Sequence, residues 1–293
     1  MSPLDEWAAT DNYIIIDVAG TVMGGSSLVL GLVVVLLIGI MLPALGAARR
    51  TARRMQNSTQ LRGVHQGMVT FGNSNKENFP GLTSKGNILE DAAEITGMSG
   101  HGGTTEARMW ILLDGNFFTP EYAISPSETS AVTEYNTDML DTTAVPVEFT
   151  AGTTGLRHYS YAFLAIHQDA TVPNDTTTPD WEGRASEWTQ SLNTQAVVAG
   201  DRNTGRPGLQ NYSSVHTNGS GEWKGQVLWN DNHVMFEQTP YFVTRYGNGE
   251  LNGTYSGEAA DDIFALNDNN VNDDDHNAFL VCDGQGNAFS QDQ

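Results

Sequence analysis

Hydrophobic and polar positions divide the beginning of the chain into two patterns. Residues 28–48 are apolar or small at every position, and as a helix this run is about 31 Å long, which matches the hydrocarbon thickness of a bilayer. Beyond it, apolar residues recur among polar ones at intervals of three, four and three, at Leu61, Val64, Met68 and Phe71. The two patterns predict one stalk helix over residues 26–75, transmembrane in its first half and amphipathic in its second.

The residues before the apolar run are acidic. Asp5, Glu6, Asp11 and Asp17 lie there, without any Lys or Arg. A cleaved secretory signal begins with basic residues and has a shorter apolar run, so the composition disfavours one. We therefore predict that residues 1–25 form an acidic leader or an N-terminal extension.

The rest of the chain has the pattern of short strands and loops. Residues 226–229 and 233–236 are apolar-rich runs around a three-residue polar link, which predicts a β-hairpin. Residues 159–166 and 196–199 predict further strands, and residues 105–113 predict a short helix. The expected fold class is α+β, with a mainly antiparallel globular domain over residues 76–265 and an acidic Asn/Asp-rich tail over residues 266–293.

Charge narrows the choice of partners. The chain has 35 acidic and 14 basic residues, and its formal net charge is −21. Such a surface repels nucleic acid, and it suits a solvated acidic domain or one in salty or divalent-rich surroundings. The one cysteine, Cys282, excludes an intramolecular disulfide.

Several short blocks occur in an order that resembles a known family. They are Leu42-Pro43-Ala44-Leu45, Arg53-Arg54-Met55-Gln56, Ser125-Pro126-Ser127-Glu128, Ala199-Gly200-Asp201-Arg202-Asn203, the segment from Asn211 to His216, and the segment from Gly225 to Phe236. Together they resemble the bacterial type IV pilin-like proteins and type II secretion pseudopilins, the group with a prepilin-type N-terminal cleavage and methylation domain. In particular, the chain is similar to the large subgroup with a C-terminal His and Asp-Gly motif, here represented by His216, Asp231 and His233.

The resemblance implies a pilin-like fold and assembly through the N-terminal helix. It places leader cleavage between Gly25 and Ser26, and it puts Leu30 where relatives have the glutamate that registers an incoming subunit, so a minor, tip-type or membrane-resident subunit is as plausible as a major one. It also puts Asn57 and Ser125 where many relatives have cysteines. The residues expected to pack between helices are Gly31, Leu32, Val35, Ile38, Gly39, Leu42 and Pro43.

The histidines admit two interpretations. His216 and His233 flank the predicted hairpin near Asp201, where they could form an acid/base or metal cluster. The alternative, which we favour, is that they hydrogen-bond the turn and fix the hairpin. The sequence contains neither a Gly-x-Ser-x-Gly elbow nor a phosphate loop, a His-Glu-x-x-His pair or a Cys-x-x-Cys motif, so we expect a protein that is not an enzyme.

The tail is dense in oxygen ligands. Asp268, Asp273, Asp275 and Asp283 would be the carboxylates of a calcium site, since calcium prefers hard oxygen donors. The stretch lacks the glutamate that closes an EF-hand loop, and a flexible acidic tail is the favoured alternative. The sequence thus requires no cofactor and leaves calcium as an open candidate.

The expected function is structural. The chain would be a single-pass protein of a bacterial inner membrane that associates with itself or with other pilin-like subunits, as part of a filament or a secretion-associated structure. The alternative is a membrane-anchored module that binds glycan or calcium without forming filaments. Arginines after the apolar run would place the C-terminal domain in the cytoplasm, whereas the resemblance implies that the domain is periplasmic or extracellular.

Overall fold

The computed structural model describes residues 4–87, 105–128, 158–166, 182–204, 212–217, 221–247, 261–264 and 280–281, with the side chains of the first helix described from residue 29 onward. The chain divides into two compact units, Met1–Ala52 and Arg53–Gln293.

The first helix, α1, spans Leu4–Ser74. Its end agrees with the predicted one, and Lys76 and Glu77 follow in the left-handed conformation, with φ angles of 54° and 71°. Its start does not agree, because the helix begins at Leu4 instead of residue 26. The acidic residues at the front are compatible with this, since negative charge near a helix N-terminus is favourable. The predicted 1–25 segment is therefore helical from Leu4 and continuous with the stalk helix.

The described strands form two antiparallel sheets, as expected for the α+β class. In order along the chain they are β1 Tyr161–Leu164, β2 Val197–Asp201, β3 Gly225–Trp229, β4 Val234–Glu237, β5 Tyr241–Phe242, β6 Asp261–Asp262 and β7 Leu280–Val281. Five of them are ordered β4-β3-β2-β1-β7, and β5 pairs with β6. Every pair among these described strands is antiparallel.

The predicted hairpin is confirmed. Leu228 on β3 pairs with Val234 on β4, and the three-residue link between Trp229 and His233 contains Asn232 with φ 69°. A left-handed residue at the end of a three-residue loop is a common way to close a hairpin, and Asn tolerates that conformation well.

One part of the predicted tail belongs to the sheet. Leu280–Val281, strand β7, pairs with β1 through Leu164 and Phe163, and Leu280 is fully buried. The prediction of a tail over residues 266–293 followed its acidic composition and overlooked this short apolar run. The rest of that segment lies outside the described residues.

Helices and strands share one buried core within the second unit. Leu61, Val64 and Met68, the predicted apolar stripe of α1, are each 0% exposed, and Phe71 is partly buried against the same cluster. Strands β1, β2 and β3 are buried at every position, which is typical of strands covered on both faces. The other helices among the described residues are α2 Thr105–Asp114, a 3-10 turn at Pro120–Ala123, and α3 Glu182–Ser186.

Candidate functional site

The first candidate is the apolar surface of α1 in the first unit. Its large side chains are open to solvent: Leu32 is 71%, Val35 67%, Ile38 50% and Leu42 63% exposed. A Cβ added at Gly31 or Gly39 would meet nothing within 4 Å. The helix is long and apolar enough to cross a membrane, and its most apolar window is entirely unburied.

The glycines and Pro43 give this surface its local shape. Proline has no N–H, so Pro43 leaves the carbonyl of Gly39 without its helical donor. Because Gly39 has no side chain, this part of the backbone is uncovered on that side. A neighbouring helix can approach closely at such positions. All seven residues predicted to pack between helices therefore lie exposed on α1.

The other sequence-predicted positions of the N-terminal and C-terminal segments can be placed only in part. Gly25 and Ser26 lie within α1, so the predicted cleavage site is helical. Asp268, Asp273, Asp275 and Asp283, the calcium candidates, lie outside the described residues. Within the described part of the chain, no group of three or more His, Cys, Asp or Glu side chains could hold a metal ion.

The second candidate is a buried carboxylate at the end of β2. Asp201 is 0% exposed and is surrounded by donors. Asn57 on α1 donates from Nδ2 to both carboxylate oxygens at 2.8 and 2.9 Å, and the backbone N–H of Gln226 on β3 donates to Oδ2 at 2.7 Å. The carboxylate thus joins the stalk helix to two strands of the sheet.

His216 completes the set of donors around Asp201. Its Nε2 lies 2.9 Å from Oδ2 of Asp201, and the two side chains are 6% and 0% exposed. Since a carboxylate only accepts hydrogen bonds, Nε2 carries the hydrogen in this contact. The ring also packs edge to face on Phe236 of β4, with centroids 5.2 Å apart. His216 therefore fixes the hairpin to β2.

Tyr161 extends the network along β1. Its hydroxyl donates to Oδ1 of Asn57 at 2.6 Å, and Oε1 of Gln60 lies at 3.3 Å. Burial raises the pKa of Tyr161 well above its usual value, and the charge of Asp201 raises it further, while a hydrogen bond with Ser125 acts in the opposite direction. The phenol consequently stays protonated and acts as a donor. Asn57 and Ser125 thus both interact with this tyrosine.

His233 lies in a different environment from His216. Its Nδ1 makes a short contact with Oδ1 of Asp231, and its backbone N–H donates to the same oxygen at 3.1 Å. The ring stacks on Trp229, with centroids 4.5 Å apart and planes inclined by 12°. The contacts of this pair are local to the hairpin turn. His216 thus pairs with Asp201 and His233 pairs with Asp231, so the three residues of the predicted motif belong to two separate Asp-His pairs.

Sequence reasoning missed the buried amides and imidazole that join α1 to the sheet. Asn230 donates from Nδ2 to the backbone oxygens of Glu187 and Thr189 at 2.6 and 3.0 Å, and its Oδ1 lies 3.4 Å from Nε2 of His65. The sequence carried a signal for Asn57 and for His65, which follows Leu61 by four positions on the same face of α1. Asn57 precedes Leu61 by four positions, so both polar residues continue the apolar stripe of α1.

Compared with protein-family models, with curated proteins and with solved structures, this chain shows no significant match.

Proposed function

We propose that the protein is a pilin-like or pseudopilin-like subunit that assembles through the first half of α1 into a filament or a secretion-associated structure. Before assembly it would be a single-pass protein of a bacterial inner membrane, with the C-terminal domain on the periplasmic side or, after assembly, in the extracellular filament. The observation that carries this proposal is the contrast within α1. Its first part exposes large apolar side chains, whereas Leu61, Val64 and Met68 are buried in the globular core.

Solvation explains why the exposed part requires a partner. Burying one side chain the size of Leu or Val away from water is worth about 1.5–3 kcal/mol. In lipid the helix is stable because its backbone groups are satisfied internally. A subunit that leaves the lipid must bury the same side chains against other helices, and Gly31 and Gly39 provide room for close approach.

A structural role also accounts for the Asp-His pair at the end of β2. The side chains of Asp201 and His216 are almost entirely closed to solvent, so a substrate has little access to them. Their bonds to Asn57 and Gln226 connect three elements of the fold. We assign the pair to holding the globular domain on the stalk helix, and we propose no catalytic activity.

The mass of the mature N-terminal peptide, measured on a membrane fraction of the native host, tests this function. A chain that begins at Ser26, especially with a methylated amine, supports processing by a prepilin peptidase. A chain that retains residues 1–25 would overturn the processed-pilin assignment. A monomer that binds glycan or calcium would instead indicate the anchored binding module.

A further inference from the structure

Two arginines follow the apolar surface of α1 in the same unit. Arg49 and Arg50 are exposed, one and two positions beyond Ala48, the last residue of the apolar run. In the part of the chain that the structure describes, neither arginine has an ion-pair partner. Exposed cations at the end of an apolar run are accessible to a partner from outside the subunit.

The guanidinium of Arg50 lies over a notch in the helix. Its Nη1 is 3.8 Å from the place where a Cβ on Gly46 would be. The side chain is thus directed back toward the apolar run, as Cβ atoms in a helix point toward its N-terminus. Long basic side chains near the end of a membrane span lay their methylene groups on apolar surface and keep the charge at the interface.

We propose that Arg49, Arg50 and the notch at Gly46 form a binding site for the phosphate of an anionic phospholipid headgroup. This inference rests on the proposed function, because it requires that the preceding run spans the bilayer. The planar guanidinium matches a phosphate through two parallel hydrogen bonds. The site is in the leaflet at the C-terminal end of the span, and it binds the subunit to anionic lipid until assembly.

The acidic surface of a second copy is the competing partner for these cations. The position along the helix favours lipid. A run of 21 apolar or small residues fills the hydrocarbon thickness, so that residues immediately after it lie at the level of the headgroups. Lipid headgroups surround every subunit at that level, whether or not subunits meet.

Native mass spectrometry of the full-length protein, released from detergent with equal amounts of phosphatidylglycerol and phosphatidylcholine, tests the site. The wild type is expected to retain phosphatidylglycerol preferentially. Each basic residue near an anionic surface contributes about a fivefold preference for anionic lipid. The preference for phosphatidylglycerol should therefore be roughly 25-fold lower in the double variant Arg49→Gln/Arg50→Gln than in the wild type. The variant Gly46→Leu, whose side chain fills the notch, should lose part of the preference for phosphatidylglycerol. Arg62→Gln, an exposed arginine on α1 in the other unit, is the matched control and should keep the preference.

Two results would overturn the site. One is a double variant with unchanged lipid preference. The other is an arginine-dependent dimer without lipid, which would assign the cations to a second copy. Resistance of the wild type to alkaline carbonate extraction from phosphatidylcholine liposomes separates this inference from the proposed function. Extraction of the wild type would contradict the membrane anchor itself, whereas a firmly inserted protein without lipid preference would contradict only the headgroup site.

Discussion

The side-chain amide of Asn57 lies 2.8 and 2.9 Å from the two carboxylate oxygens of Asp201, and both residues are 0% exposed. A buried carboxylate is tolerated only when hydrogen-bond donors replace the water it has lost. This contact therefore does two things at once: it solvates the charge of Asp201, and it fixes one turn of α1 against the end of β2.

Replacing the amide tests how much the contact stabilises the fold. Asn57→Ala removes a donor from the buried carboxylate, and it removes the acceptor that lies 2.6 Å from the hydroxyl of Tyr161. We expect the free energy of unfolding to fall by about 1–3 kcal/mol. Denaturant unfolding of the full-length protein in detergent measures this change in the free energy of unfolding. Ser58→Ala, the half-buried neighbour on the same helix, is the control, and an equal loss in both variants would contradict this role.

A carboxylate in place of the Asn57 amide makes the loss of stability depend on pH. Asn57→Asp places two acidic groups within hydrogen-bonding distance, and two such carboxylates cannot both ionise without strong repulsion. The pKa of one of them is then raised above its unfolded value, so the variant is most stable at low pH and loses stability as pH rises through the raised pKa. The deficit relative to wild type should be smaller at pH 5 than at pH 7. Equal deficits at the two pH values would argue against direct contact.

His65 predicts a separate pH dependence of the native protein. Its side chain faces the β3–β4 turn, near Asn230, Asp231 and Asn232, and burial lowers its pKa below 6.5, an effect only partly offset by those neighbours. The unfolded chain then binds a proton near pH 6.5 that the folded protein does not. Stability should therefore be constant above this value and fall as pH decreases below it.

In the variant His65→Gln, stability should change less between pH 7 and pH 5 than it does in the wild type, although the substitution lowers stability at neutral pH. Thermal unfolding at several pH values, with the full-length protein in one detergent, provides the measurement. His233→Gln is the control, since that ring is 36% exposed at the surface of the turn. If the two variants and the wild type keep the same slope, His65 is not the group responsible.

Local sequence pattern predicted several of the elements but not the contacts between them. The spacing of Leu61, Val64 and Met68 predicted the buried face of α1, and the apolar runs around the polar link predicted the β3–β4 hairpin. The partner of Asn57 is 144 positions away in sequence, and their meeting depends on the register of β2 against its neighbours. No short window of sequence contains that information.

Two predicted boundaries, the start of the stalk helix and the start of the tail, were based on composition and differ from the structure for a related reason. The acidic residues before the apolar run marked a change in charge at residue 26, but helix formation continues through such a change, and α1 starts at Leu4. In the tail, acidic residues concealed the apolar pair Leu280–Val281, which pairs with β1. In both places backbone hydrogen bonding extends across a shift in side-chain chemistry.

Gly63 provides a prediction about close packing of α1. A Cβ at this position would lie 2.4 Å from Cδ1 of Tyr122, which is too short for any real contact. Gly63→Ala should lower stability by about 1–3 kcal/mol through overpacking, although alanine is the better helix former. Denaturant unfolding compares it with Gln66→Ala, an exposed position on the same helix. A variant Gly63→Ala as stable as its control would show that the tyrosine moves aside at little cost.

The exposed half of α1 allows a direct test of association between copies. Gly31 and Gly39 lie on the same side of the helix as Leu32, Val35, Ile38 and Leu42, because successive residues are turned by about 100°. Leucine at both glycines would hold a neighbouring helix further away, and it should weaken association by about 1–2 kcal/mol. Energy transfer between copies labelled at their amino termini, in liposomes of neutral lipid, measures this. Val33→Phe enlarges a side chain on the other side of the helix and should leave the transfer unchanged. If transfer responds to Val33 and not to the glycines, copies associate through the opposite face, and the set of packing residues predicted from the sequence is wrong.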